Sequence, residues 1–362
     1  MLNTTREQRS RPNGFTLVEL LVVMAVLVVL AGITLPTIKG LMHDQKVTAA
    51  ARMVKAHVQS AQARAIATGR PVAVILERSA NATNTVSRLS IGQVFPPYEG
   101  DTTGTVGTLA DTKGYNSTTF QFEAGLSDGF YDQITVPLAN ASLLSAGVVG
   151  PGDFIQIGER QNIYLIESVN GGVISFINPP YAQDAAGRQW SAQEEQLPAM
   201  ANADARFRVY RKPTKSYLQT TVLPRGTCVD LTASGIGQSG NDFFSSAATP
   251  GPVMIVFNEQ GGVAYLTDGL SPPATSSSLI HLLVGRTEQV SLSATPEVRN
   301  PDDASTFDAN VNDLSSSWLS INPYSGAIYS SSLQAGSEGS TLATRLPIAR
   351  AFATNAVTQS EN

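Results

Sequence analysis

From Phe15 to Leu35, 21 residues, the chain is apolar apart from Thr16, Glu19, Gly32 and Thr34. As a helix rising about 1.5 Å per residue, this run is roughly 30 Å long, the thickness of a hydrocarbon core, and it predicts a transmembrane helix. The pattern then turns from continuous to periodic. Between Thr37 and Thr68 the chain is Ala-rich, and Ala50, Val54, His57 or Val58, Ala61 and Ala65 return at spacings of three and four, a single stripe along one helix face. Gly69 and then Arg70-Pro71 end it, because Gly suits the position past a helix and Pro cannot continue one. The prediction is one helix of about 54 residues, roughly 80 Å long, with residues 15–35 in the membrane and an amphipathic part, 36–69, laid against a globular head.

Past Pro71 the period shortens to two. Apolar or alternating runs bounded by Gly, Pro, Asn and Asp predict strands at Val72–Leu76, Ile134–Val136, Phe154–Ile157, Ile163–Val169, Val173–Ile177, Phe207–Tyr210, Val253–Phe257 and Leu279–Val284, with another at Trp318–Ile321. Within 152–176 the order is strand, strand, tight Asn170-Gly171 turn, strand, a small antiparallel unit. The fold class is α+β, with a long N-terminal helix on a β-rich head spanning 70–362. The Ser/Thr/Ala-rich tail, 334–362, has little apolar periodicity and is expected to be loosely held.

Glu19 is the one charge in the apolar run. An ionised carboxylate near the start of a membrane helix is costly unless paired or interfacial, so it calls for a partner. A cut after Gly14 would supply one: a new α-amine on Phe15, four residues before Glu19 and able to pair with the Glu19 of a neighbouring copy. Arg11-Pro12-Asn13-Gly14 followed by Phe15-Thr16-Leu17-Val18-Glu19 resembles the class III signal of type IV prepilins and type II secretion pseudopilins. The resemblance implies that residues 1–14 are a leader peptide, that prepilin peptidase cuts between Gly14 and Phe15, and that Phe15 is then N-methylated. It also implies a pilin-like stem and head, with Glu19 guiding each subunit onto its neighbour's N-terminus. Gly32 and Pro36 sit where helices of that family kink. The implied partners are prepilin peptidase, other pilins or pseudopilins, the secretion or pilus assembly machinery and a bacterial inner membrane, with the head in the periplasm.

Other targeting signals fit less well. A cleaved secretory signal has a shorter apolar region and a small-x-small cut site, and the run here is too long and lacks that site. Leu30-Ala31-Gly32 is followed by Ile33 rather than Cys, so there is no lipoprotein site. A plain single-pass anchor explains neither Gly14 beside the run nor Glu19 within it. Arg6, Arg9 and Arg11 before the run are matched by Lys39, Lys46 and Arg52 after it, so basic residues do not set its orientation.

A subfamily resemblance lies further on. Ala61–Leu76 is similar to the stem-to-head junction of minor pseudopilins of the GspH/FimT type, and Leu223–Leu231 and Val253–Val263 resemble later strands of the same head. Heads of that type are smaller, so roughly 130–215 is expected to be an inserted β module displayed on the outside.

Charge and cysteine content narrow the function. Without residues 1–14, Lys plus Arg falls from 24 to 21 and Asp plus Glu from 29 to 28, a net charge of −7. That balance disfavours nucleic-acid binding by the whole head. The stem's outer half is basic, with Lys39, Lys46, Arg52, Lys55, Arg64 and Arg70 against Asp44, which is either a solvated face or a surface for acidic neighbours. The single Cys228 allows no internal disulfide and reads as a small buried hydrophobe.

Chemical motifs are sparse. Gly235-Ile236-Gly237-Gln238-Ser239-Gly240 fits a dinucleotide pattern, yet no helix follows it, and it reads as a Ser/Gly loop. Asp308–Asp313 resembles the start of a calcium loop, but Asp313 replaces the turn glycine and Leu319 the closing acid. Asp302, Asp303, Asp308 and Asp313 are weak calcium candidates, and no cofactor is expected. His43 and His57 have no partner at metal-ligand spacing. His281 is the head's only histidine, and no nucleophile elbow or zinc-protease motif accompanies it, so no catalytic residue is nominated. The expectation is a non-enzymatic structural subunit, with a ligand-binding tip pilin or adhesin, contacting a surface, polysaccharide or DNA, as the alternative.

Overall fold

The computed structural model describes residues 17–116, 121–125, 131–137, 141–158, 163–177, 204–247, 250–267, 274–290, 309–334 and 342–360. The chain forms two compact units, Met1–Lys46 and Val47–Asn362. Helix α1, Leu17–Thr68, contributes to both. It stops where the sequence says it should: Gly69 takes φ +59°, and the Arg70 amide donates back to the Ala65 carbonyl at 3.3 Å.

In the second unit α1 is core rather than stalk. Ala50, Val54, Val58, Ala61 and Ala65 are buried, as are Val47, Ala51 and His57. A head cut at residue 70 would therefore lose the helix its sheet is built on, and the compact unit begins at Val47 instead.

Strands β1 (Val72–Ser79) and β2 (Ala82–Gln93) form the first hairpin. An excursion follows, with β3 (Val106–Ala110), β4 (Lys113–Asn116), β5 (Gln121–Ala124), β6 (Gln133–Thr135), the short helix α2 (Ser142–Ser145), β7 (Phe154–Ile157), β8 (Ile163–Asn170), β9 (Val173–Ile177) and β10 (Asp204–Tyr210). The chain then returns as β11 (Thr214–Val222), β12 (Thr227–Ile236), β13 (Val253–Phe257), β14 (Val263–Thr267), β15 (Ile280–Arg286), β16 (Ser317–Ile321) and β17 (Ile328–Ser332), and closes with α3 (Leu342–Ala349) and α4 (Ala351–Ser360).

The main sheet runs β14-β13-β1-β2-β12-β15-β16-β17, with β11 also beside β2. Its inner residues, among them Val74, Leu89, Leu231, Ile255, Leu282 and Leu319, share one core with the α1 stripe. Alanines at 50, 61 and 65 let the helix backbone lie close to the strands. The two ends of the sheet meet around that helix: the Val263 amide, at the start of β14, donates to the Pro323 carbonyl in the β16–β17 turn at 2.7 Å. Gln62 of α1 fastens the seam, its Nε2 donating to the carbonyls of Gly261 at 3.0 Å and Ser325 at 3.1 Å.

The tail differs from its expectation. Leu346, Ala349 and Ala353 of the α3–α4 segment are buried against Ala233, Leu283, Trp318 and Leu333 on the sheet's opposite face. The small residues that weaken periodicity in the sequence are what lets these short helices approach the sheet.

The excursion is a closed barrel, β10-β3-β6-β9-β8-β7, with its own core built on Ile134, Ile155, Ile166, Ile174, Phe207 and Val209. Its strands begin at Val106, so the expected range of 130–215 omits β3, whose small and polar sequence carries little alternation. The barrel leaves the main sheet at Gln93 and returns at Thr214, which are paired with each other. The two connecting segments are cross-tied. Tyr98 and Val209 exchange backbone hydrogen bonds at 2.8 Å, Arg211 stacks over Phe95 at 4.7 Å and donates to the Pro96 carbonyl, and the buried Asp153 carboxylate accepts the Lys212 amide at 2.9 Å.

Candidate processing and assembly site

Glu19 lies in the first turn of α1, where a carboxylate also complements the positive end of the helix dipole. Around it the helix is apolar on every side and exposed on every side. Leu17 is 80% exposed, Leu21 62% and Val28 69%, with Leu20, Val22, Met24, Leu27 and Leu30 all above half. Successive residues turn by about 100°, so these positions cover the whole circumference rather than one face. Burying each such side chain is worth about 1.5–3 kcal/mol relative to leaving it in water. A helix of this kind is made for lipid or for apolar neighbours.

Among the described residues no helix is long and apolar enough to cross a membrane. The apolar run whose side chains are described ends at Leu30, short of the Phe15–Leu35 span the sequence predicts. Gly14 and Phe15, the expected cleavage and methylation positions, lie outside the described residues. Gly32 and Pro36 fall within α1. They stand four apart, so the amide missing from Pro36 is the one that would have bonded to the Gly32 carbonyl. Farther along, Arg52, Arg64 and Arg70 are exposed, and Lys46 and Lys55 are half-buried.

The head residues singled out by sequence are scattered. Asp302, Asp303 and Asp308 lie outside the described residues. Asp313 pairs with Arg286 at 3.3 Å and accepts the Ser315 amide at 2.9 Å. No group of three potential metal ligands occurs among the described residues. The Gly235–Gly240 loop offers carbonyls rather than amides to its neighbour: Arg350 donates to the oxygens of Gly237 and Gly240 at 2.6 and 3.0 Å, an arrangement opposite to a phosphate cradle. Cys228 is buried, and burial followed by the nearby Asp230 charge pushes its thiol up, out of the reactive range. His57 shares a 2.9 Å hydrogen bond with Thr221 of β11, and burial lowers its pKa.

Asp230, which the sequence reading passed over, and His281, which it set aside as the head's lone histidine, are both buried. Asp230 is 2% exposed and accepts from the Asn310 side-chain amide at 2.9 Å and the Thr232 backbone amide at 2.9 Å; burial outweighs these bonds and raises its pKa to about 6. His281 is fully buried, and burial together with the Arg350 charge lowers its pKa to about 3. Neither arrangement is legible locally, since Asn310 lies 80 positions from Asp230 and Ser320 lies 39 from His281.

Residues 9–35 match the family described as the prokaryotic N-terminal methylation motif, which is type IV prepilin-like. No curated protein and no solved structure matches the chain.

Proposed function

We propose that this chain is a structural, non-enzymatic subunit of a type IV pilin-like filament, made as a prepilin. It is cut by prepilin peptidase between Gly14 and Phe15, methylated on Phe15, and held in a bacterial inner membrane by residues 15–35 before extraction into the fibre. One observation carries the proposal: a methylation motif at 9–35 opens onto a helix whose apolar side chains are exposed all round, with one acid, Glu19, in the first turn. In the filament those side chains meet neighbouring stems, and Glu19 meets the adjoining Phe15 amine, so that a carboxylate costly to bury alone becomes one half of an ion pair.

The finer assignment is a minor pseudopilin of the GspH/FimT type, working with other pseudopilins and the type II secretion machinery. Its support is that Ala61–Leu76, Leu223–Leu231 and Val253–Val263 are neighbours in one structure, α1 leading into β1 with β13 beside it and β12 across β2. The test is intact-mass analysis of the protein from its native host. A chain beginning at Phe15 with one added methyl is expected; a chain that keeps residues 1–14, or is trimmed elsewhere, overturns the proposal.

The inserted barrel favours a second role beside the first, as a tip pilin whose barrel contacts a surface or polysaccharide. Residues 47–362 binding a defined glycan saturably, and losing that binding when the barrel is removed, would establish it. Equal binding without the barrel would exclude it.

A further inference from the structure

One outer wall of the barrel bears positive charge on a chain that is net negative. In β10 the side chains alternate: Phe207 and Val209 belong to the barrel core, while Arg206 and Arg208 are exposed on the other side. Arg211 and Lys212 carry the run into the connecting segment. Their hydrogen bonds go to carbonyls, those of Pro96 and Pro151, both at 3.0 Å, which leaves their charge in place. Against these four cations stand two exposed carboxylates. Asp204 accepts the Thr108 hydroxyl at 2.7 Å, and Glu99 pairs with Arg208 at 2.6 Å in a contact where both side chains stay about half exposed. A third acid, Asp153, is buried and accepts the amides of Gly150 and Lys212. Arg206 has no ion pair among the described residues. The neighbouring strands add neutral polar groups to the same wall. Thr108 of β3 stands opposite Asp204 and Gln156 of β7 opposite Arg208, and Tyr210 donates its hydroxyl to Gln156 Oε1 at 2.8 Å.

Building on the role of the barrel as a displayed module that contacts polysaccharide, we propose that this wall is the contact and that the polysaccharide is acidic. Arg206 and Arg208 take its carboxylates, and Thr108 and Gln156 its hydroxyls. Arginine suits the task because its planar fork meets a carboxylate with two parallel hydrogen bonds and keeps its charge at every working pH. Two positions apart on one strand, Arg206 and Arg208 stand roughly 7 Å from each other, close enough for one extended chain to meet both. The exposed Glu99 pair with Arg208 is a weak one, and it gives way to a partner that brings its own carboxylate. A neutral glycan would leave both guanidinium groups unanswered. Nucleic acid fits the wall less well, because bases seek open aromatic faces to stack on. Here Arg211 covers the Phe95 ring at 4.7 Å, and Tyr210 is half-buried and held by its hydroxyl.

The test titrates the full chain, in nonionic detergent micelles, with oligogalacturonate and with its methyl ester, the same sugar chain without the charge, by isothermal titration calorimetry. The acid should bind about tenfold or more tightly than the ester, and added salt should narrow the difference. R206Q and R208Q should each weaken binding of the acid about tenfold, since each removes a charged hydrogen-bond donor. E99Q should strengthen it by up to about fivefold, because Arg208 then has no partner to give up. Such a gain cannot come from a variant that fails to fold. Equal affinity for acid and ester, or parental binding by R206Q and R208Q, overturns the proposal; if that binding still disappears with the barrel, the displayed role of the barrel stands and only the acidic assignment falls. Single-stranded DNA bound more tightly than oligogalacturonate through the same arginines overturns it as well. With neither sugar bound, the proposal and the role it builds on fall together.

Discussion

A carboxylate among leucines and valines is easy to see in a sequence, and what it does can be tested one atom at a time. Glu19→Ala should leave membrane insertion and processing intact while weakening filament incorporation, because it strands the neighbour's α-amine in an apolar bundle. Removing one partner of a buried pair costs about 3 kcal/mol or more, roughly a hundredfold in equilibrium. Incorporation can be read from sheared filaments, and wild-type levels would end the docking role. Asp230 and His281 give a second test, with opposite signs. Asp230 titrates near 6 folded against 3.8 ordinarily, so its stabilising share is full below about pH 4 and is lost as pH rises through 6. His281 titrates near 3 folded against 6.5 ordinarily, so its share is full above about pH 6.5 and is lost as pH falls. Between pH 4 and 6 the two slopes cancel. Asp230→Asn should therefore uncover a loss of about 3 kcal/mol on acidification from pH 6.5 to 4, and His281→Gln a gain of about 2 kcal/mol from pH 6 to 4, both measured by urea denaturation. Glu19 was legible because its oddity is local. Asp230 and Arg350 were not, because their partners Asn310 and Ala233 lie 80 and 117 positions away.

Elements were legible where one pattern ruled them. The end of α1 and the bounds of β7, β9 and β13 follow the sequence, being apolar runs stopped by turn residues. Strand β2 did not show itself, since Thr85 and Ser90 are buried in a stretch that reads as polar. Strand β11 is Thr- and Ser-rich for the same reason. The seam that closes the sheet is also a property of assembled elements, and glycines expose it. Gly326 has φ +66°, and a Cβ there would fall 1.9 Å from the Gly261 carbonyl oxygen. Gly69 has φ +59° and open space around it. Both substitutions to Ala carry the left-handed backbone cost of about 1–2 kcal/mol, but only Gly326→Ala must also push the two turns apart and loosen Gln62. It should destabilise by about 2 kcal/mol more than Gly69→Ala, within the 1–3 kcal/mol range of overpacking. Equal losses in parallel chemical denaturations would mean that the seam does not restrain the sheet.

At the scale of the whole molecule, the barrel is inserted between two strands of the main sheet, β2 and β11, that pair with each other. Gln93 and Thr214 remain paired at its base, so the main sheet does not need the intervening chain to set the register of β2 against β11. The inner core around α1 and the barrel core share no residues. Replacing 94–213 with a two-residue Asn-Gly turn should thus leave the main sheet folded, because a type I′ turn matches the twist of the strands it joins and closing a long loop adds only about 0.6 kcal/mol per doubling of its length. The Gly92 region is where the graft is most exposed, since Pro213 packs within 3.1 Å of the position a Cβ would take there. An unfolding free energy within about 2 kcal/mol of the parent's is expected in urea denaturation of residues 47–362, together with retained filament incorporation of the full-length variant. Collapse of the main sheet on deletion would show that the barrel is structural, and that the connecting segments, with Arg211 on Phe95 and Asp153 on Lys212, transmit stability rather than merely position a displayed module.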